Sequence, residues 1–154
     1  MNTSILILFV AISPGIIQVA IAGCCPDGWM PHKSRCYYVG YETKLTFSAA
    51  MVYCHVRGAQ LVQFESYGEY SFLRNLLKKT QASDAWIGLS DQKHEGIWQW
   101  IGSKGFATFS DWAPNEPNSA NGGEDCVGFF ASEDYKWNDF SCTDKLIPVC
   151  EKSS

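Results

Sequence analysis

The sequence is poor in positive charge, in histidine and in repetition. It carries 12 Lys and Arg against 16 Asp and Glu, a formal net charge of −4, and its basic residues form no cluster. Nucleic acid is therefore excluded as a natural partner, because phosphate binding needs a basic patch or stripe. His32, His55 and His94 are scattered, with no acid or nucleophile at a recognisable spacing. They read as structural or surface residues rather than a catalytic centre. Internal repeats, linkers and low-complexity tracts are absent. Beyond residue 22 no stretch is apolar enough to cross a bilayer, so the mature chain is expected to have no membrane span and to be soluble. An Asn-x-Ser/Thr acceptor occurs at Asn2 and nowhere later.

Cysteine, by contrast, is plentiful. Seven cysteines in a chain of 154 residues fit an oxidising, extracellular compartment. Residues 5–22 form an apolar run interrupted by Pro14 and Gly15 and ending Ala20-Ile21-Ala22. The small-x-small ending predicts a signal peptide over residues 1–22 and secretion. A membrane anchor is the alternative, disfavoured by the interruptions and by the lack of a preceding Lys or Arg. Residues 23–154 are enough for one domain with its own core.

Cys24-Cys25-Pro26-Asp27-Gly28 opens with a turn signal. Tyr37-Tyr38-Val39 reads as a strand, and Cys36 closes on Cys25 in a small hairpin, with Cys24 as the alternative partner. Thr46 caps a helix whose apolar stripe is Phe47, Ala50, Met51 and Cys54, ended by Gly58. Ser66 and Glu69 form a capping box for a second helix with Phe72, Leu73, Leu76 and Leu77 on its apolar face. From Trp86 the texture changes to short β-rich segments: Trp86–Leu89, Ile97–Trp100, Phe106–Phe109, Cys126–Phe130 and Ile147–Cys150. Two helices followed by short strands predict an α+β domain with antiparallel sheet. Trp86, Trp98, Trp100 and Trp137 are assigned to the core; Trp112 and Phe130 are left open.

The stretch from Asp111 to Asp139 organises the rest. Its carboxylates and amides sit in a loop rich in Pro and Gly that is long for a compact domain, which marks it as functional rather than connecting. Glu116, Asn118, Glu124, Asn138 and Asp139 offer hard oxygen ligands of the kind Ca²⁺ takes six to eight of. No cysteine or histidine interleaves with these donors, which argues against zinc or copper.

These residues also carry a resemblance. Glu116-Pro117-Asn118, Trp137-Asn138-Asp139, Trp86-Ile87-Gly88-Leu89 and the cysteine spacing resemble a C-type lectin carbohydrate-recognition domain, from about Cys25 to Glu151. The resemblance implies the disulfide-stapled C-type lectin-like fold in its long form, with pairs Cys25–Cys36, Cys54–Cys150 and Cys126–Cys142. That leaves Cys24 unpaired and able to link two chains. It implies one Ca²⁺ held by Glu116, Asn118, Glu124, Asn138 and Asp139, with Pro117 preceded by a cis bond and the same five residues holding the sugar. In the family, Glu-Pro-Asn goes with mannose, N-acetylglucosamine, glucose and fucose, and Gln-Pro-Asp with galactose. An auxiliary Ca²⁺ site matches Asp91, Glu95, Glu124 and Asp125. Ser119 stands where that site has an acidic residue, and Asp91 and Glu95 read equally well as solvated turn residues. The implied activity is a secreted lectin of innate immunity recognising microbial or cell-surface glycans, and no enzyme. A shell-matrix protein of the perlucin type, acting on calcium carbonate, is the alternative.

Overall fold

The structure is a computed structural model describing residues 25–102 and 105–154. The expected signal peptide at 1–22 and Cys24 lie outside the described residues. Two helices and eight strands follow in the order β1 (Met30–His32), β2 (Arg35–Val39), α1 (Phe47–His55), β3 (Gln60–Leu61), α2 (Tyr67–Thr80), β4 (Ala85–Ser90), β5 (Gln99–Trp100), β6 (Cys126–Phe130), β7 (Lys136–Phe140) and β8 (Ile147–Ser153). The expected α+β class holds. The sheet runs β1-β2-β8-β4-β6-β7, with β3 also pairing β8 and β5 also pairing β4.

The sheet is antiparallel as expected except at one pair: β4 and β8 run parallel, with Ala85 opposite Ile147 and Trp86 opposite Pro148. A parallel pair needs a crossover connection. Everything from β5 to β7, including the long loop, supplies it. The strand β8 thereby becomes the hub, joined to the N-terminal hairpin on one edge and to β4 on the other.

Local chemistry places both helices. Thr46 caps α1 by accepting from the Ala49 N–H at 3.4 Å, and Phe47, Ala50 and Cys54 are buried beneath it. Ser66 caps α2 by accepting from the Glu69 N–H at 3.3 Å. The return half of the capping box shifts by one residue. Glu69 is buried, and its carboxylate accepts from the Glu65 N–H at 2.9 Å and from the Tyr37 hydroxyl instead of the cap residue. All six residues of β4 are buried. A strand covered on both faces shows no polar alternation, which is why Trp-Ile-Gly-Leu reads as one apolar run.

The core has two adjoining parts. Tyr37, Tyr70, Leu73, Ile87, Phe129 and Trp137 belong to one. Phe47, Cys54, Trp86, Cys126 and Cys150 belong to the other. Trp86, Trp100 and Trp137 are core residues as expected, whereas Trp98 is only partly buried. The three expected disulfides are present: Cys25–Cys36, Cys54–Cys150 and Cys126–Cys142. Of the segment Ile97–Trp100 only Gln99–Trp100 is strand, and Ile97 is exposed. Phe106–Phe109 contributes one bridge, Gln99 to Phe106, rather than a strand.

Candidate functional site

The site is built on the hairpin of β6 and β7. Its register sets Cys126 opposite Phe140 and Val127 opposite Asp139. Glu124 and Asp125, just before β6, are therefore held beside the end of β7 that carries Asn138 and Asp139. The Cys126–Cys142 bond, closing a sequence separation of 16, fixes the same end covalently. The long loop is tied to this frame at its base. Trp137 N–H donates to the Asp111 carbonyl at 2.8 Å, and Ala113 N–H donates to the Trp137 carbonyl at 2.7 Å. The Asp111 side chain accepts from the Tyr70 hydroxyl at 2.6 Å and lies 3.6 Å from both Arg74 and Lys136. Asp111 is thus an anchor for the loop.

The Glu116-Pro117 bond is cis. Beyond it, the chain folds back onto β7. Asp139 is fully buried, and its carboxylate accepts from the Asn118 N–H at 3.1 Å and the Ser119 N–H at 2.7 Å. Asn115 and Ser119 both take the left-handed backbone, with φ of 69° and 46°. Glu124 accepts from the Ala120 N–H at 2.8 Å. Asn138 is buried, and its side-chain amide donates to the Asp139 carbonyl. Two segments separated in sequence thereby meet through Asp139, which sequence reasoning assigned only as a ligand. Its grip on the backbone of Asn118 and Ser119 left no sequence signal.

The electrostatics of this region are unfavourable for acidic side chains alone. Glu116 is pushed above the usual carboxylate range, first by burial and then by Asp139 and Glu124, with Asn118 opposing. Its Oε2 is buried with no hydrogen-bond partner. Glu124 is likewise raised, by burial and then by Asp139 and Asp144, against the opposing Ala120 N–H. A divalent cation removes both the repulsion and the unmet acceptor, so the donor set fits Ca²⁺.

A second group lies next to the first. Carboxylate oxygens of Asp91, Glu95 and Asp125 all come within 4.8 Å of one another. Asp91 is buried; one oxygen accepts from the Gly96 N–H at 2.8 Å, and Oδ1 has no partner. Burial is the main cause raising its pKa, and Glu95 and Asp125 add to it. The Asp91 N–H donates to the Asp125 carbonyl at 3.2 Å, which holds the two turns together. Glu124, expected to be shared with this group, does not join the trio. Among the described residues, Glu116, Glu124 and Asp139 do not form such a group; Asp139 and Glu124 each accept from backbone amides.

A three-disulfide α+β scaffold carrying a cis-Pro loop rich in acidic and amide groups defines a lectin-like class of domain. The family described as "Lectin C-type domain" matches residues 43–152, and the chain belongs to it. Its family is one of non-enzymatic carbohydrate-binding proteins. The chain is 33% identical over 129 residues to a perlucin-like protein of Mytilus galloprovincialis, covering 82% of this chain and 81% of the relative. It is also 33% identical over 128 residues to human C-type lectin domain family 17, member A, covering 83% of this chain. It spans only 32% of that relative's length. Among solved structures, the cow carbohydrate-recognition domain of CD23 in the presence of a GlcNAc2Man3 oligosaccharide superposes with a TM-score of 0.72 at 33% identity. The match covers 85% of this chain and 97% of that one. A calcium-independent type II antifreeze protein superposes with a TM-score of 0.74 at 28% identity, covering 84% and 95%.

Proposed function

We propose that the protein is a secreted, calcium-dependent lectin with mannose-type specificity, acting on microbial or cell-surface glycans in innate immunity. The observation that carries this reading is the clamp of Asp139 on the Asn118–Ser119 backbone, beside the unpartnered Oε2 of Glu116. Glu116, Asn118, Glu124, Asn138 and Asp139 would hold the ion. Bound there, Ca²⁺ would supply a Lewis acid to which two vicinal hydroxyls of a sugar each give a lone pair. The protein's own groups set the direction of the remaining hydrogen bonds. The Glu116 carboxylate only accepts, so it takes a hydroxyl proton; the Asn118 amide donates to a hydroxyl oxygen. That order suits the equatorial pair of mannose, N-acetylglucosamine or glucose, or the matching pair of fucose. The CD23 structure, obtained with a mannose-containing oligosaccharide, is consistent with it. Asp91, Glu95 and Asp125 would form the auxiliary site, weakened by Ser119 in place of an acid.

A glycan array read with Ca²⁺ and with EDTA tests the reading. Mannose-type signals lost in EDTA support it; a double substitution E116Q/N118D should move the preference towards galactose. Signals indifferent to EDTA would refute it. A mineral-binding role is the second reading. It is favoured by the perlucin-like relative, most of whose length this chain spans. Altered calcium carbonate crystal habit together with a blank array would select it.

A further inference from the structure

We propose that Arg74 is a positioning residue for the long loop: it pins the loop's entry and the β6–β7 hairpin to helix α2 and so fixes their register against each other. The inference rests on the reading of that loop as the ion site and adds to it a residue outside the donor set.

Tyr70, Arg74 and Lys78 recur every four residues on α2, which sets them in one row along the helix. Their tips meet two aspartates from different segments. The Arg74 guanidinium donates from Nε to the Asp134 carbonyl at 2.8 Å and from Nη2 to the Asp134 carboxylate at 2.6 Å. Two donors on one residue fix the plane of the guanidinium. Asp134 lies in the turn between β6 and β7. The remaining nitrogen, Nη1, lies 3.6 Å from Oδ2 of Asp111, at the entry of the loop. Lys78 pairs with Asp134 and Lys136 with Asp111; among the described residues Arg74 is the cation paired with both. The side chains of Arg74 and Asp111 are 18% and 22% exposed, so solvent and salt screen this pair less than an open surface pair.

Register matters here because little else sets it. The loop's entry runs parallel to β7 over one bridge, Trp112 to Trp137. Two backbone hydrogen bonds close it, Trp137 N–H to the Asp111 carbonyl and Ala113 N–H to the Trp137 carbonyl. So short a ladder specifies its register weakly, and a slip of one residue turns every side chain to the other face. Asp139 follows Trp137 by two residues and Glu116 follows Trp112 by four. A slip at the bridge would therefore carry Glu116 and Asn118 away from Asp139 and break its clamp on the Asn118 and Ser119 amides. Helix α2 is a firm reference for the register, since Tyr70, Leu73 and Leu77 are buried in the core. The Asp111 side chain is held to that helix by the Tyr70 hydroxyl at 2.6 Å and by Arg74.

Amide hydrogen exchange in EDTA tests the proposal without any ion. R74M removes the guanidinium and keeps an apolar stem. The Ala113, Asn118 and Ser119 amides should exchange about tenfold faster in R74M, while the amides of α2 and of the β6–β7 ladder keep their wild-type rates. R74K, which keeps the charge and loses the fork, should fall between the two, and it decides the matter if R74M does not fold. Calorimetry should then show Ca²⁺ affinity about tenfold weaker in R74M, with mannose affinity at saturating Ca²⁺ unchanged. Adding D111N to R74M should weaken Ca²⁺ binding no further, because both act through one contact. The proposal is overturned if the three amides keep their wild-type exchange rates, if exchange rises equally along β6 and β7, or if the effects of R74M and D111N add. A wild-type protein that takes up no Ca²⁺ would refute the ion reading instead, and the exchange rates in EDTA would still decide the role of Arg74.

Discussion

The Asp139 carboxylate accepts from the backbone amides of Asn118 and Ser119. Replacing it by alanine strands two N–H groups and removes a proposed Ca²⁺ ligand. D139A should lower Ca²⁺ affinity by at least ~10-fold, the scale of losing a group that orients a metal site, as measured by isothermal titration calorimetry. Trp-Asn-Asp marked Asp139 as a candidate ligand; its clamp on the loop backbone left no mark, because which backbone it meets depends on the loop's path. Glu69 tells the same story. Its spacing from Ser66 marked a helix start, but Tyr37 lies 32 residues away in the chain and draws the carboxylate inward.

Glu151 supplies a pH prediction at this scale. It is buried beside Arg35 at 3.4 Å and accepts from Gln60 at 3.0 Å and the Gln63 N–H at 3.1 Å. Burial chiefly raises its pKa to about 7, with Glu69 adding to the rise and Gln60, Arg35 and the Gln63 N–H opposing it. A carboxyl whose folded pKa is raised binds its proton more tightly when folded. Its contribution to stability is therefore fully present below the unfolded value near 4.5 and lost as pH rises through 7. In EDTA, urea denaturation should show this gain between pH 7.5 and 5, and E151Q should flatten it. An unchanged slope in E151Q would contradict the assignment.

At the scale of elements, the two larger disulfides divide the labour. Cys54–Cys150 closes a separation of 96 residues and Cys126–Cys142 one of 16. The chain-entropy model gives about 4–5 kcal/mol for the first and about 3 kcal/mol for the second. The double alanine variant of the first pair should lose more stability by chemical denaturation. That of the second should lose more Ca²⁺ affinity, because it frees the end of the hairpin that bears Glu124 and Asp139. Gly128 sits where β6 passes β4 closely: an added Cβ would meet the Ala85 carbonyl at 2.8 Å and Leu146 at 2.9 Å. G128A should cost about 1–3 kcal/mol.

Elements were legible in proportion to their local signals. Both helices carry caps and stripes that belong to the chain's own neighbours, and both begin where those signals sit. Strand β7 was seen as a motif but not as a strand, because its Trp-Asn-Asp core mixes ring, amide and acid without alternation. Strands β1 and β3, of three and two residues, exist only through their partners β2 and β8. The parallel meeting of β4 and β8 is a property of the whole path and has no local mark.

For the whole molecule, the family follows from residues spread over nearly the full described chain, whereas the sugar and the setting rest on the loop alone. One monosaccharide in a shallow site binds at roughly millimolar strength. Useful attachment to a cell surface then requires several sites at once, and a homo-oligomer, with Cys24 as one candidate link, would provide them. Analytical ultracentrifugation should find more than one chain per particle, with C24S lowering the mass if that cysteine forms the link.

The most direct measurement is a crystal structure grown with CaCl₂ and mannose. One ion should be found touching Glu116, Asn118, Glu124, Asn138 and Asp139, with two vicinal hydroxyls of the sugar completing its shell. Mannose seated elsewhere, or a loop that takes no ion at saturating Ca²⁺, would contradict the account.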